Sequence, residues 1–223
     1  MATDNFWLAQ LKPRGTCLML GQCTLKLKFN RRKSALAAVL INLAMFGNLC
    51  ADEPTPSEKI DHFHKTLLDV MRMAGDLDAR LTKLTPEITS LFDIKTISRI
   101  SLGRTWRTLS PTDQETFMEL LKELITTTYA ARFDTYNDQI FRNISSQPAR
   151  NGIVVKTEIE RSNGERVQLD YYFRDAFAYN VVADGVSDLS LRRADYNAII
   201  KKEGFDSLLS HIEKNIETQR ASH

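Results

Sequence analysis

The hydrophobic pattern of this chain changes period twice, and those changes constrain the fold more than any single motif. From Phe63 to Leu102 apolar residues recur every three or four positions; from Gln139 they alternate; beyond Gly185 the helical spacing returns. Alternation sends successive side chains to opposite faces of a strand, whereas a spacing of three to four gathers them in a stripe along a helix. Helices, then strands, then helices predict an α+β fold: a single domain with a curved antiparallel sheet of about four strands packed against several helices.

Within that frame Phe63, Leu67, Val70, Met71 and Ala74 predict a helix up to Gly75, and Leu77, Leu81 and Leu84 a second that stops before Pro86. Ile88, Leu91, Phe92, Ile94, Ile97, Ile100 and Leu102 continue in short helical pieces to a bend at Gly103. Residues 52–57, with Pro54 and Pro56, read as a tether. The clearest element is a helix from Pro111 to about Tyr136, opened by Ser110 and Asp113 and striped by Phe117, Leu120, Leu121, Leu124, Ile125, Thr128 and Tyr129. Strands follow around Ile140–Ile144, Ile153–Ile159, Val167–Phe173 and Tyr179–Val182, with Asn163-Gly164 as a hairpin turn. Ser187 or Asp188 caps a helix running to Gly204, and Phe205, Leu208, Leu209, Ile212 and Ile216 form the last one.

Charge is unevenly spread. Seven of the 30 basic residues but only one of the 28 acidic ones precede Asp52, leaving 23 against 27 and a net charge of about −4 on the remainder. Residues 1–51 have the layout of a secretory leader: a cationic stretch from Lys26 to Lys33, an apolar run from Ala35 to Phe46, and Leu49-Cys50-Ala51 as the cleavage region, with cleavage expected after Ala51. Met19, close to the cationic stretch, is a candidate for the true start. The apolar run is shorter than the ~20 residues of a spanning helix. All three cysteines, Cys17, Cys23 and Cys50, fall before the expected cut, so residues 52–223 would work without thiols in a periplasmic, oxidising setting.

Catalytic signatures are sparse. Of the four histidines, His62 and His64 stand two apart on a helix, point in different directions and read as surface residues. Neither a phosphate-binding loop nor a dinucleotide glycine fingerprint occurs. Gly185-Val186-Ser187 lacks the second glycine of a nucleophile elbow, since Leu189 stands there, so Ser187 reads as a helix cap. A negative domain with scattered arginines is poorly suited to nucleic acid.

Two blocks carry a resemblance. Leu102-Gly103-Arg104-Thr105-Trp106-Arg107 leads through Ser110-Pro111 to Phe117 and Thr128-Tyr129-Ala130; later come Asp184-Gly185-Val186-Ser187-Asp188-Leu189 and Arg193-Ala194-Asp195-Tyr196. Their order and spacing resemble the MlaC family of periplasmic phospholipid carriers, also called the toluene-tolerance family. Phe133-Asp134-Thr135-Tyr136 with Gln139-Ile140-Phe141 is similar to its hopanoid-associated branch, HpnM. Where the family pattern usually has Trp and Asp on the strand before the second block, this chain has Ala176 and Asn180.

The resemblance implies a non-catalytic periplasmic domain with an apolar cavity between helices and sheet, no cofactor, and a phospholipid or hopanoid-related lipid as cargo. It implies partners on both sides: an outer-membrane lipoprotein–porin complex and an inner-membrane ABC transporter with MCE-domain subunits. The expected lining is Phe92, Ile97, Ile100, Trp106, Phe117, Leu121, Leu124, Tyr129, Val155, Leu169, Tyr171, Val182, Val186 and Tyr196, positions that an ordinary filled core would use equally. Arg104, Arg107, Arg192 and Arg193 are candidate contacts for a lipid phosphate, because guanidinium forks match phosphate oxygens. Two rival classes differ in the interior. An acid/base enzyme would bury a polar group such as Asp170 or Tyr171 in a pocket, and an interaction module would have no pocket.

Overall fold

The computed structural model describes residues 53–73 and 76–223; the expected leader, its cleavage point and all three cysteines lie outside the described residues. Six helices and five strands follow one another as α1 (Pro56–Arg72), α2 (Leu77–Leu91), α3 (Ile94–Leu102), a 3-10 turn (Thr105–Arg107), α4 (Pro111–Arg132), β1 (Ile140–Ala149), β2 (Gly152–Glu160), β3 (Arg166–Arg174), β4 (Phe177–Ala183), β5 (Val186–Ser187), α5 (Asp188–Glu203) and α6 (Phe205–Ala221). The strands form one antiparallel sheet in chain order, a meander. The two-residue β5, hydrogen-bonded to β4, is the strand beyond the expected four.

One face of the sheet is dry. Val155 pairs with Tyr171, Thr157 with Leu169 and Ile159 with Val167 across β2 and β3, and Tyr171 with Val181 and Leu169 with Ala183 across β3 and β4. All are buried, and α1 and α2 close over them with Ile60, Phe63, Leu67, Leu84 and Ile88. The other face carries a charge ladder, in which Lys156 meets Asp170 at 3.2 Å and Arg142 and Arg166 meet Glu160 at 3.2 and 3.1 Å. An antiparallel sheet with one wet face behaves this way. Asp170 therefore stands on the outer face, away from the position a buried catalytic carboxylate would need.

Several boundaries differ from expectation for identifiable reasons. Residues 56 and 57 belong to α1 rather than to a tether, because Thr55 and Glu58 form a reciprocal capping box and Pro56 fills the first helical position. Helix α2 runs through Pro86: this proline and Thr82, whose carbonyl loses its helical partner, are on the exposed side, so water can replace the missing bond while Leu84, Ile88 and Leu91 stay buried. Helix α4 ends at Arg132, and Tyr136 instead donates its N–H to the Met71 carbonyl, tying the following loop to α1. Strand β1 forms, but Ile140 and Ile144 are 45% and 57% exposed and a bulge lies between Asn143 and Ser145.

His64 is also a correction. Of His62 and His64, His62 alone lies at the surface. His64 is 3% exposed, stacked on Phe141 with ring centroids 4.2 Å apart, and its Nε2 lies 3.1 Å from the Tyr171 hydroxyl. The helical stripe of α1 is wide enough to take in residue 64 beside Phe63, and the Tyr171 hydroxyl satisfies the ring that sheet packing buries.

The central helix is α4. Its first half has one buried stripe, whereas residues 124–131 are buried all round, including Thr126, Thr127 and Thr128. Thr126 and Thr128 donate to the carbonyls four residues back, which makes their burial tolerable, whereas the buried Thr127 hydroxyl has no hydrogen-bond partner. Arg80 of α2, also buried, donates to the Ala130 carbonyl.

At the β1–β2 turn, Gly152 has φ +135°, and a β-carbon there would stand 2.0 Å from the Phe173 carbonyl oxygen. Gly152→Ala is expected to destabilise by at least about 2 kcal/mol, since it adds backbone strain to an overpacked contact with main chain. Chemical denaturation measures it, and unchanged stability would show that the turn does not take this conformation.

Candidate lipid-binding site

Two hollows occur among the best-formed ones. The larger, about 690 Å³, is an open groove on the outer side of α4, bordered by α2 and α6 and rimmed by Glu115, Glu119, Glu123 and Arg220. It is open to solvent, and Arg220 pairs with Glu123 at its rim at 3.1 Å. The smaller lies inside, between sheet and helices. It is lined by Phe92, Ile97, Ile125, Thr128, Tyr129, Tyr179, Asn180, Val181, Asp188, Leu189 and Arg192, and its volume is about 20 Å³. That is room for about one water, far below the ~300–1,000 Å³ of small-molecule pockets. Instead of the deep apolar cavity expected, this form has a closed seam.

Each wall of the seam has a local cause. Phe92 caps the end of α2, and the Asp93 N–H donates to the Ala178 carbonyl at 2.9 Å, pinning the α2–α3 corner against β4. On β4 the register shifts beside Tyr172 and Phe173, so that Phe173 faces Ala178 while Tyr172 faces Asn180. This bulge makes Ala178 and Val181 share the inner face although they are three apart. Helix α5 starts beside them, with Ser187 accepting from the Ser190 N–H as its cap. Asn180 supports the start, its Oδ1 accepting from the Ser187 hydroxyl at 3.0 Å and the Leu189 N–H at 3.3 Å.

The far end is polar. Arg192 is 6% exposed; its Nε donates to Asp188 Oδ2 at 2.7 Å and its Nη1 to the Tyr196 hydroxyl at 3.2 Å. Burial by itself lowers the pKa of the Arg192 guanidinium, but Asp188, then Tyr196, outweigh it and raise it above the usual value, so Arg192 is charged. Burial pushes the pKa of the Tyr196 and Tyr129 hydroxyls up, so both stay protonated, and the Tyr196 hydroxyl accepts from Arg192.

Of the residues expected from sequence, Phe92, Ile97, Tyr129 and Arg192 meet in the seam. Phe117, Leu121, Leu124, Val155, Leu169 and Tyr171 are buried in the continuous core around it, and Phe117 packs edge-on to Tyr196, which holds Arg192 from below. Trp106 is buried on the 3-10 turn, its carbonyl accepting from Gln114, and serves as an anchor for that turn. Ile100 and Val186 are half-buried outside the seam. Val182 faces the opposite side from Val181, because strand alternation after the bulge puts it there. Arg104, Arg107 and Arg193 are exposed, and Arg193 lies over Gly103 rather than at the seam.

Sequence reasoning missed Ile125, Thr128, Tyr179, Asn180, Val181, Asp188 and Leu189. For Asp188 a signal was present: it stands four residues before Arg192, the spacing of a helical ion pair.

Among the described residues no cluster could hold a metal ion, and no helix is long and apolar enough to cross a membrane. Sheet, helix layer and the seam between them define the class: a single α+β domain whose candidate site lies between its layers rather than on loops. The chain belongs to the MlaC family, whose model, described as MlaC protein, matches residues 61–214. In fold it is similar to a phospholipid-binding protein from Ralstonia solanacearum, solved in complex with a phospholipid at 1.53 Å. The two share 20% identity and a TM-score of 0.65, over 74% of this chain and 99% of the other.

Proposed function

We propose that this protein is a periplasmic phospholipid carrier without catalytic activity, exported by its leader. It takes lipid between an outer-membrane lipoprotein–porin complex and an inner-membrane ABC transporter with MCE-domain subunits, and so serves outer-membrane lipid asymmetry. The observation that carries this reading is family membership across most of the domain, joined to a seam whose inner wall is apolar and whose end is polar. Exposing one sixteen-carbon tail to water costs about 12 kcal/mol, at ~0.8 kcal/mol per methylene. Unaided diffusion of lipid between membranes is therefore negligible, and a carrier must shield the tails while leaving loading and unloading near balance.

On this reading the tails enter along the seam as α3 and α5 part from β4. A minor open state is enough, since the lipid selects it by its own binding energy.

Native mass spectrometry with lipid extraction, on protein exported through its own leader and purified without detergent, tests this. The expected result is a glycerophospholipid at near-unit stoichiometry. A hopanoid mass would move the cargo to the other branch of the family. Protein that is empty and refuses added lipid would overturn the carrier reading.

A further inference from the structure

Three of the four arginines that the sequence singles out, Arg104, Arg107 and Arg193, stand away from the seam and gather at one corner of the surface. Gly103 turns the chain out of α3 with φ +58°, and Arg193 of α5 lies over it, its Nη2 3.7 Å from where a β-carbon would stand. Arg104 follows directly. Arg107 closes the 3-10 turn, its N–H donating to the Arg104 carbonyl at 3.1 Å, and Arg99 stands one helical turn earlier, its carbonyl accepting from the Gly103 N–H at 3.1 Å. Asn197 donates to the Ser101 carbonyl at 3.2 Å and so ties α5 to the end of α3.

All four arginines are exposed, and no carboxylate among the described residues pairs with any of them. Elsewhere exposed arginines are matched, Arg142 and Arg166 by Glu160 and Arg220 by Glu123. Arg99 has a local reason, since a cation in the last turn of a helix meets its negative end. Arg104, Arg107 and Arg193 have none. Asp195, two positions beyond Arg193, faces another side of α5. Residues 52–223 carry about −4, so a corner this basic does not follow from composition.

We propose that Arg99, Arg104, Arg107 and Arg193 form a patch by which the domain docks on an anionic membrane surface. Guanidinium forks match phosphate oxygens, and unpaired ones reach them without first breaking an ion pair. A protein partner fits less well. Protein interfaces are centred on buried aromatic or aliphatic anchors, whereas Trp106, the one aromatic residue of this corner, is turned inward and only 7% exposed. Leu191, the exposed apolar residue nearest in sequence, is two positions from Arg193 and faces another way. Charge without an anchor suits a plane of phosphates, to which separate cations contribute one by one. The inference goes beyond the carrier reading and does not depend on it.

The test is co-flotation of the exported, delipidated protein with vesicles. Equimolar phosphatidylethanolamine and phosphatidylglycerol make the anionic set, and phosphatidylethanolamine with phosphatidylcholine the neutral one. The wild-type protein is expected to float with the anionic set alone, and to be released when salt is raised from about 0.02 to about 0.5 M, which shortens the screening length severalfold. Arg104→Gln/Arg107→Gln/Arg193→Gln should weaken binding roughly a hundredfold, at about 1 kcal/mol for each arginine near an anionic surface and about 1.4 kcal/mol for each tenfold. Lys65→Gln/Lys201→Gln/Lys214→Gln removes the same charge from exposed sites elsewhere and should bind as the wild type does. Circular dichroism checks that both variants are folded.

A wild-type protein that ignores anionic vesicles would overturn this inference and leave an acidic protein partner as the match to the patch. Equal weakening by the lysine and arginine variants would overturn it as well, since net charge rather than this corner would then decide. A protein that refuses lipid cargo yet floats with anionic vesicles would overturn the carrier reading and leave this inference standing.

Discussion

Phe92→Ala is expected to lower the unfolding free energy of the lipid-free domain by about 3–5 kcal/mol, the range for deleting a buried aromatic ring. Phe92 is 5% exposed, and its ring lies between Phe63 and Tyr129, with centroids at 6.0 and 6.1 Å. Its backbone ends α2 and bridges to Ala178 of β4, so the neighbours cannot collapse freely into the space. The same ring walls the seam, and its loss enlarges the hollow beside Arg192. A lipid tail should then recover part of what the variant loses, because a ligand that binds only the folded state stabilises it. Urea denaturation of delipidated and lipid-loaded protein measures both effects. A cost under 1 kcal/mol in the delipidated protein would show that the ring is not packed between Phe63 and Tyr129.

The periodicity that foretold α+β order did so because backbone geometry imposes it locally: two-residue alternation in β2 and β3 emerges with the buried rows Val155, Thr157, Ile159 and Val167, Leu169, Tyr171, Phe173. The site was less legible, for a physical reason. Core-lining and seam-lining residues share the same chemistry and spacing, so Leu121 and Ile125 on α4 are indistinguishable until the partners on β4 and α5 are placed. The bulge near Tyr179 carries no glycine or proline to announce it, and it alone moves Val181 inward and Val182 out. His64 was hidden in a different way. A histidine is read as wet unless a buried partner is known, and that partner, Tyr171, is 107 positions away.

The seam also reconciles two facts that pull apart: family membership that implies a lipid cavity, and an interior with room for little more than a water. An empty apolar cavity large enough for a tail would forfeit dispersion contacts over its whole lining. Closing the sheet against α3 and α5 recovers them. Reopening then costs stability in proportion to the contacts broken, and on the carrier proposal it is the lipid's own binding energy that would have to supply it.

Acidification should destabilise this domain through His64. Burial, with no charged partner to offset it, lowers the His64 pKa from the usual 6.5 to about 3. The folded protein therefore keeps His64 neutral over a range in which the unfolded chain binds a proton, and stability rises with pH across that window. The contribution is complete above about pH 6.5 and is lost progressively as pH falls toward 3, reaching ~3 kcal/mol at pH 4 at 1.36 kcal/mol per pKa unit. Surface acids such as Glu58 and Glu203 have pKa values lowered by Thr55 and Lys202, away from the upper part of this range. The control is His64→Leu/Tyr171→Phe, which removes the ring and the hydroxyl it meets, so that neither is left buried alone. Urea denaturation at pH 7 and pH 4 should give a loss in the wild-type protein about 3 kcal/mol greater than in the double variant. Equal losses in the two would mean that His64 reaches water in the folded state, and that α1 does not close over β3 as it does in this structure.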